Sequence, residues 1–478
     1  MIALAWPSKK IKKVFHKNEE IIFIDDQGLW VFSKDSSKRI LVSNTNYDIP
    51  DELFDIPNAK RYLNWWMPIW TRWVPHADQY EKVREQLLVS TYNIFNMLNH
   101  YNINCIIFFT GVAHHLDSSI LSIACRLKKI KQIYLYAQVI NGRLLPILQS
   151  DDISTRTPLN IDVSDFQFKK NIDEFLNRKI AGDIPKLNFS EKSWKKNLTL
   201  SILFILRREI YKIINKVIFP RKYLENFLIP KQISKHSFLE DLRVINSQRL
   251  YLRAFSNSII SDKKMNELRL NEKPKLLIAA HYQPEATSFP EGNDYTSHID
   301  IVIAIRNKKY KAEIIYKEHS SVDRYIEKII GLTKVGISRS ETYLELLKKL
   351  GCIFLQKDYH LSLKDDYKWY VPVTITGTIA IERALVGLHT IYTGTPWYKG
   401  LPGTLHIDDI DSLELIPEEW TKPNELIARN ARAFLYELLN NKTIANFPGI
   451  GTGVPDDSEI SAKDFELGIL KIMKIFHY

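Results

Sequence analysis

The residues best suited to chemistry are Thr374-Ile375-Thr376-Gly377-Thr378-Ile379-Ala380-Ile381-Glu382. They read as the end of a strand, a tight turn and a helix start with a carboxylate one turn in. Val371, Val373 and Ile375 alternate as a half-buried strand requires. Gly377 is expected to supply a backbone angle that a Cβ resists. Thr376 and Thr378 are expected to cap the helix, whose start would then attract phosphate. Glu382 lies four residues after Thr378, on the same helix face. There it can accept hydrogen bonds from a ribose, as the acidic residue of a dinucleotide site does. The sum reads as half of a nucleotide-sugar site, although an ordinary α/β turn with a capping threonine has the same pattern.

Three further loops each follow an apolar run in this half of the chain. His281-Tyr282-Gln283-Pro284-Glu285 carries a carboxylate that can contact a sugar hydroxyl or act as acid or base. At a helix start the same carboxylate would simply complement the dipole. Lys317-Glu318-His319-Ser320-Ser321 offers a point charge, a ring donor, hydroxyls and amides that suit a phosphate or diphosphate. The fourth loop is Gly394 to Gly400. In the first half, Gly111 to Ser119 contains His114, His115 and Asp117, which can bind an acceptor or supply a base. Adjacent histidines point different ways, so at most one of the two is catalytic. No metal site is expected, because no histidine or carboxylate cluster has ligand spacing.

These loops need parallel strands to hold them. Cys105–Phe109, a helix from Ile120 to Lys129 and Gln132–Tyr136 form a βαβ unit. Strands are also expected at 275–280, 312–316, 353–355, 371–375 and 390–392, with helices between them. Their carboxyl ends would bring the loops to one sheet edge. Near the N-terminus, 21–24 and 29–32 flank Asp25-Asp26-Gln27-Gly28, a hairpin signal. Trp65, Trp66, Trp70 and Trp73 form an aromatic cluster that reads as packing or an acceptor groove. A terminal amphipathic helix is expected over 463–476.

With 478 residues, two or three domains are expected. Three widely spaced cysteines give neither a zinc pattern nor a disulfide framework, which fits a reducing, cytoplasmic setting. No signal peptide and no membrane-spanning run is legible. The net charge of +11 implies an anionic partner. Ten Lys or Arg stand against three Glu between Leu187 and Lys231, interleaved with apolar residues. That stretch suits an anionic membrane surface or, equally, a core helix with a basic solvated face. No nucleic-acid signature accompanies the charge.

The combination His281-Tyr-Gln-Pro-Glu285, Lys317-Glu-His319, Thr376-Gly-Thr378-Ile-Ala-Ile-Glu382 and Gly394-Thr-Pro-Trp397-Tyr398 resembles bacterial capsular polysaccharide synthesis proteins, a group that includes retaining Kdo transferases. It covers roughly Lys275 to Gly400 and departs from many relatives at Ser320, where they have Pro. The resemblance implies an α/β, GT-B-like fold: two Rossmann-like domains facing a cleft, with a helical insertion. The expected organisation is an acceptor domain over 1–149, a basic bridging region over 150–257, a nucleotide-sugar domain over 258–445, and a tail and helix over 446–478. It implies a metal-independent glycosyltransferase without cofactor, acting on CMP-Kdo or another nucleotide sugar. The acceptor would be a capsule, lipopolysaccharide or other surface glycan, and the enzyme would sit in the cytoplasm or peripherally on the inner membrane face. The donor would meet His281, Gln283, Lys317, His319, Ser320, Ser321, Thr376, Gly377, Thr378 and Glu382. The acceptor would meet His114, Trp397 and Tyr398, with Glu285, His115 and Asp117 as catalytic candidates. A polyol-phosphate transferase, a nucleotide-sugar epimerase and a non-enzymatic export scaffold are the competing functions.

Overall fold

Short apolar strands, buried on both faces where they lie at the centre, build two separate sheets. The computed structural model describes residues 2–5, 21–25, 28–32, 37–40, 88, 91–96, 98, 103–109, 116–137, 143–149, 156–160, 238–270, 273–281, 291–319, 322, 339–357, 359, 361, 368–441, 444–446 and 458–477. The elements of the first half are β1 (Ile2–Ala5), β2 (Ile21–Asp25), β3 (Gly28–Phe32), β4 (Ser37–Ile40), β5 (Cys105–Phe108), α1 (Leu116–Leu127), β6 (Lys131–Ala137), β7 (Arg143–Gln149) and β8 (Arg156–Pro158). Strands β2, β1, β5 and β6 run parallel at the centre of this sheet. Antiparallel wings extend it through β3 and β4 on one side and β7 and β8 on the other. The hairpin at Asp25–Gly28 and the βαβ unit at 105–137 are thus as expected, while the antiparallel wing that starts with β7 went unread although Asn141-Gly142, a hairpin signal, stands directly before that strand.

The second half begins with α2 (Phe238–Ser256) and α3 (Asp262–Leu270). It continues through β9 (Lys275–Ala279), α4 (His298–Asn307), β10 (Ile314–Lys317), α5 (Glu341–Lys349), β11 (Cys352–Leu355), β12 (Tyr370–Thr374), α6 (Ile379–Leu385), β13 (Thr390–Tyr392) and β14 (Thr404–His406). All six strands are parallel, in the spatial order β11-β10-β9-β12-β13-β14. Numbered within the sheet this is 3-2-1-4-5-6, the doubly wound order. Leu276, Ile278, Tyr316, Val371, Val373 and Ile391 pack on one face with α2, α4 and α5. Leu277, Ile315, Leu355 and Tyr370 pack on the other with Met265 and Leu268 of α3. The sixth strand, β14, is only three residues long and half-buried, too short to show alternation in the sequence.

After α7 (Glu425–Asn441), β15 (Ile444–Asn446) pairs antiparallel with β7, and α8 (Ser458–His477) follows. The chain therefore returns to the first sheet. The chain forms two compact units, the second including His236–Tyr436 and the first resuming at Glu437. The class is α/β, and two units with parallel strands at their centres are the ingredients of a GT-B-like fold. Cys105, Cys125 and Cys352 are free and buried. Burial pushes the Cys105 and Cys352 thiols up to about 12, so both stay protonated.

Candidate functional site

In a 3-2-1-4-5-6 sheet the chain winds away in opposite directions from strands 1 and 4, leaving a crevice beyond their carboxyl ends. Here those strands are β9 and β12, and the residues that follow them are His281 and Thr376-Gly377-Thr378. Alternation puts His281 on the Leu277 face of β9, the face shared by Thr374 and Thr376 on β12. The two ends are tied together: the Thr376 N–H donates to His281 Nε2 at 3.2 Å. That bond fixes the tautomer, leaving the proton on Nδ1, which has no hydrogen-bond partner among the described residues. Burial, with smaller contributions from His319 and Arg339, pulls the His281 pKa down to about 3, so the ring is neutral at physiological pH.

The turn at Gly377 differs from the sequence expectation in its cause. Gly377 is not among the residues with positive φ. A Cβ there would instead sit 2.5 Å from Thr374 Oγ1, the atom that accepts the Gly377 N–H at 3.1 Å. Glycine is needed for space. Thr378 is the N-cap of α6 but its side chain makes no capping bond. Its hydroxyl lies 3.5 Å from Glu382 Oε1, and so joins the carboxylate rather than the helix end. The Thr376 N–H is taken by His281 and the Gly377 N–H by Thr374, which narrows the phosphate cradle expected from the sequence.

Tyr398 is wholly buried and donates its hydroxyl to Gly377 O at 2.7 Å. It is a strut of the turn, and Trp397 is buried beside it. Burial first, then Tyr392, Glu291 and Glu382, push the Tyr398 pKa well up, which keeps the hydroxyl a donor. Glu291 is buried, and its backbone carbonyl accepts from both the Thr395 N–H (2.7 Å) and the Thr395 hydroxyl (3.2 Å). Gly394 allows this contact, since a Cβ there would lie 2.4 Å from Glu291 O. The loop after β9 is thus locked onto the loop after β13, with Glu291 and Glu382 near the same tyrosine. Sequence reasoning missed Glu291; the Pro-Glu-Gly turn that carries it was the available signal.

Beneath the crevice lies a buried ion pair that sequence reasoning also missed. Glu318 follows Tyr316 by two residues, so strand alternation turns it inward while Lys317 and His319 face the other way. Its Oε2 accepts from Arg339 Nε (2.9 Å), Tyr251 OH (2.6 Å) and Tyr316 OH (3.2 Å). Its Oε1 accepts from the His319 N–H (2.8 Å) and Arg339 Nη2 (3.3 Å). Glu318 and Arg339 are both fully enclosed. Burial alone would push the Glu318 carboxyl up, but the Arg339 guanidinium and these hydrogen bonds hold it below the usual range. Arg339 Nη2 also donates to His281 O at 3.2 Å. The His281 N–H in turn donates to His298 Nε2 at 2.9 Å, and His298 Nδ1 meets Tyr343 OH at 3.1 Å. Burial holds His298 neutral, its pKa well below the ordinary value. Ser340 caps α5 by accepting from the Tyr343 N–H at 3.1 Å, which sets Arg339 at the helix entrance. The ends of β9 and β10 are therefore fixed from below by one charged network.

Of the donor residues expected from the sequence, His281, Thr376, Gly377, Thr378 and Glu382 come together. His319 extends from the same network through its backbone N–H, which donates to Glu318 Oε1. Lys317 Nζ donates to Lys357 O at 3.0 Å, beside β11. Gln283, Glu285, His114, His115, Ser320 and Ser321 lie outside the described residues, as do the tryptophan cluster and the basic stretch at 187–231. Asp117 lies in α1, but its side chain is likewise outside them. Among the described residues no histidine, cysteine or carboxylate cluster could hold a metal ion, and no helix is long and apolar enough to cross a membrane.

No protein-family model matches the chain, and comparison with the curated proteins finds no match. Among solved structures it is similar to a UDP-GlcNAc 2-epimerase from Neisseria meningitidis bound to UDP-GlcNAc. The identity is 11%, the TM-score 0.21, and the alignment covers 92% of this chain and 98% of that one. A likeness this loose carries nothing about substrate or reaction.

Proposed function

We propose that this protein is a metal-independent glycosyltransferase that binds a nucleotide sugar at the crevice between β9 and β12. The supporting observation is the His281–Thr376 bond, which closes the switch point of a doubly wound sheet around polar residues from several strand ends. The nucleotide lies along Thr376–Thr378, with Glu382 or Glu291 accepting from sugar hydroxyls. His319 faces the departing phosphate, where a fixed donor stabilises developing charge. Neutral His281 offers Nδ1–H as a donor without adding a charge. Gln283, Ser320 and Ser321 complete the donor site. The first unit, through His114, His115 and Asp117, takes the acceptor, and Glu285, His115 or Asp117 acts as acid or base. The favoured donor is a CMP-linked sugar such as CMP-Kdo, and the favoured acceptor is a capsule, lipopolysaccharide or other surface glycan. The basic stretch at 187–231 holds the enzyme against an anionic inner membrane face.

The test is thermal shift against CMP, CDP, UDP and GDP, with and without magnesium, because a ligand that binds only the native state raises its melting temperature. One nucleotide should stabilise the protein without metal, and Glu382→Ala and His319→Ala should lose the response. Product analysis with the corresponding nucleotide sugar then separates transfer from epimerisation. Silence towards every nucleotide would refute nucleotide-sugar binding and favour a scaffold.

A further inference from the structure

The opposite edge of the second sheet holds a basin with a different chemistry. A cavity of about 590 Å³ opens at the amino ends of β10 and β11, lined among others by Arg306, Lys309, Lys311, Lys349 and Glu414. Four cations face one carboxylate. The neighbouring Lys348 and Lys264 have carboxylate partners, Glu345 at 2.8 Å and Glu313 at 3.5 Å. Among the described residues Lys309, Lys311 and Lys349 have none.

Basic residues at helix C-termini often serve only to balance the helix dipole. Here Arg306 already does that work. Its Nε and Nη2 donate to Leu350 O, at the end of α5, at 3.0 and 2.7 Å. Its Nη1 donates to Tyr310 O (2.8 Å) and Ala312 O (2.7 Å). Among the described residues no carboxylate neutralises Arg306, so its charge remains in the floor of the basin. The three lysines are surplus to the helix ends. Lys309 has φ +70°, a left-handed conformation that a side chain rarely adopts. It is kept there by Lys309 N–H to Arg306 O (3.0 Å) and by Leu413 N–H to Lys308 O (2.7 Å). A left-handed residue here is the ordinary stop of α4, and it fixes where the Lys309 side chain leaves the backbone.

We propose that this basin binds a dianionic phosphate group, either of a soluble diphosphate or of a lipid headgroup. The volume falls within the range of small-ligand clefts. Three mobile ammonium groups over a fixed guanidinium suit phosphate oxygens. The site is separate from the crevice at His281, so it stands whether or not a nucleotide binds there.

Lysine acetylation read by mass spectrometry, on the full chain, localises the ligand. Pyrophosphate should protect Lys309, Lys311 and Lys349 while leaving Lys264 and Lys348 labelled. In parallel, pyrophosphate affinity and co-sedimentation with phosphatidylcholine vesicles containing phosphatidic acid are compared between the native chain and Lys309→Gln/Lys311→Gln/Lys349→Gln. The side chains lie at the surface, so this variant should melt as the native protein does. If it does not, Lys311→Gln and Lys349→Gln singly carry the comparison. A loss of affinity of roughly tenfold, or about 1.4 kcal/mol, supports the site. Loss of pyrophosphate binding assigns a soluble ligand, and loss confined to vesicles assigns a headgroup. Absence of protection by both pyrophosphate and the phosphatidic acid vesicles, or equal binding by native and variant chains to both probes, overturns it.

Discussion

Arg339 and Arg383 are both buried in the second unit, at 2% and 0% exposure, yet their surroundings are opposite. Arg339 sits under the carboxyl edge, paired with Glu318 and ringed by tyrosines. Burial would lower its pKa, but Glu318 and the tyrosines raise it well above the ordinary value. Arg383 projects from α6 beside Tyr370, the first residue of β12. Its Nε donates to His389 O at 2.9 Å, its guanidinium lies 4.9 Å from the Tyr370 ring centre, and Nη1 and Nη2 have no hydrogen-bond partner among the described residues. Burial pulls its pKa down to about 10, with Tyr370 acting in the other direction. One edge of the fold thus spends its buried charge on a complete network, and the other leaves a cation half satisfied. A complete network fixes geometry, which is what the His281 crevice requires.

The largest effect should come from breaking the complete network. Glu318→Ala leaves Arg339 buried without its carboxylate, and stability should fall by about 3–5 kcal/mol in urea unfolding. Adding Arg339→Met in the same chain should recover part of that loss, because the stranded charge is then gone. A double variant as unstable as the sum of its parts would mean that the two residues act independently.

Acid should find the same edge. An unfolded histidine takes a proton near pH 6.5, whereas folded His281 resists until about 3 and His298 is also depressed. Below pH 6.5 the unfolded chain therefore binds more protons, and stability falls as pH falls. His281 alone costs on the order of 1 kcal/mol at pH 5.5 relative to neutral pH, and His298 adds in the same direction. His298→Asn should roughly halve that slope. A profile flat from pH 7.5 to 5.5 would show that neither ring is held neutral.

Gly377→Ala tests the turn between these layers. The new methyl would lie 2.5 Å from Thr374 Oγ1, and relief requires breaking the bond to the Gly377 N–H. The expected cost is about 1–3 kcal/mol, with nucleotide response lost before the fold. If the cost came from φ instead, Gly377→Asn, which tolerates left-handed backbone, would be milder than Gly377→Ala. Steric crowding predicts that Asn is the worse of the two.

Much of the parallel scaffold was legible because its strands carry runs such as Leu276-Leu277-Ile278 and Val371 to Ile375 between helical segments. The turn at Thr376–Thr378 was legible for the same reason, since glycine between threonines at a strand end has few other uses. The network beneath it was not. Glu318 stands between Lys317 and His319 and looks like one more polar loop residue. Only the register of β10 sends it inward, and its partner Arg339 is 21 positions away. Contacts made at such separations leave no local spacing to find. Tyr398 misleads for a related reason: an aromatic in a polar loop suggests a stacking surface, while its hydroxyl is the part the fold uses.

The smallest effect is expected at Arg383, and it separates burial from pairing. Arg383→Met removes a cation that no carboxylate balances and keeps a long flexible side chain to fill its place over Tyr370. The lost bond to His389 O costs on the order of 1–2 kcal/mol if that carbonyl finds no substitute. The relief of desolvation offsets it, so the net change should stay below about 1 kcal/mol in either direction. Arg339→Met, with the same change of side chain at the same degree of burial, should lose several times more. Similar losses at the two sites, measured by urea unfolding at neutral pH, would mean that burial alone sets the energetic weight of an arginine here. A small loss at Arg383 beside a large one at Arg339 would assign that weight to Glu318 and its ring of tyrosines.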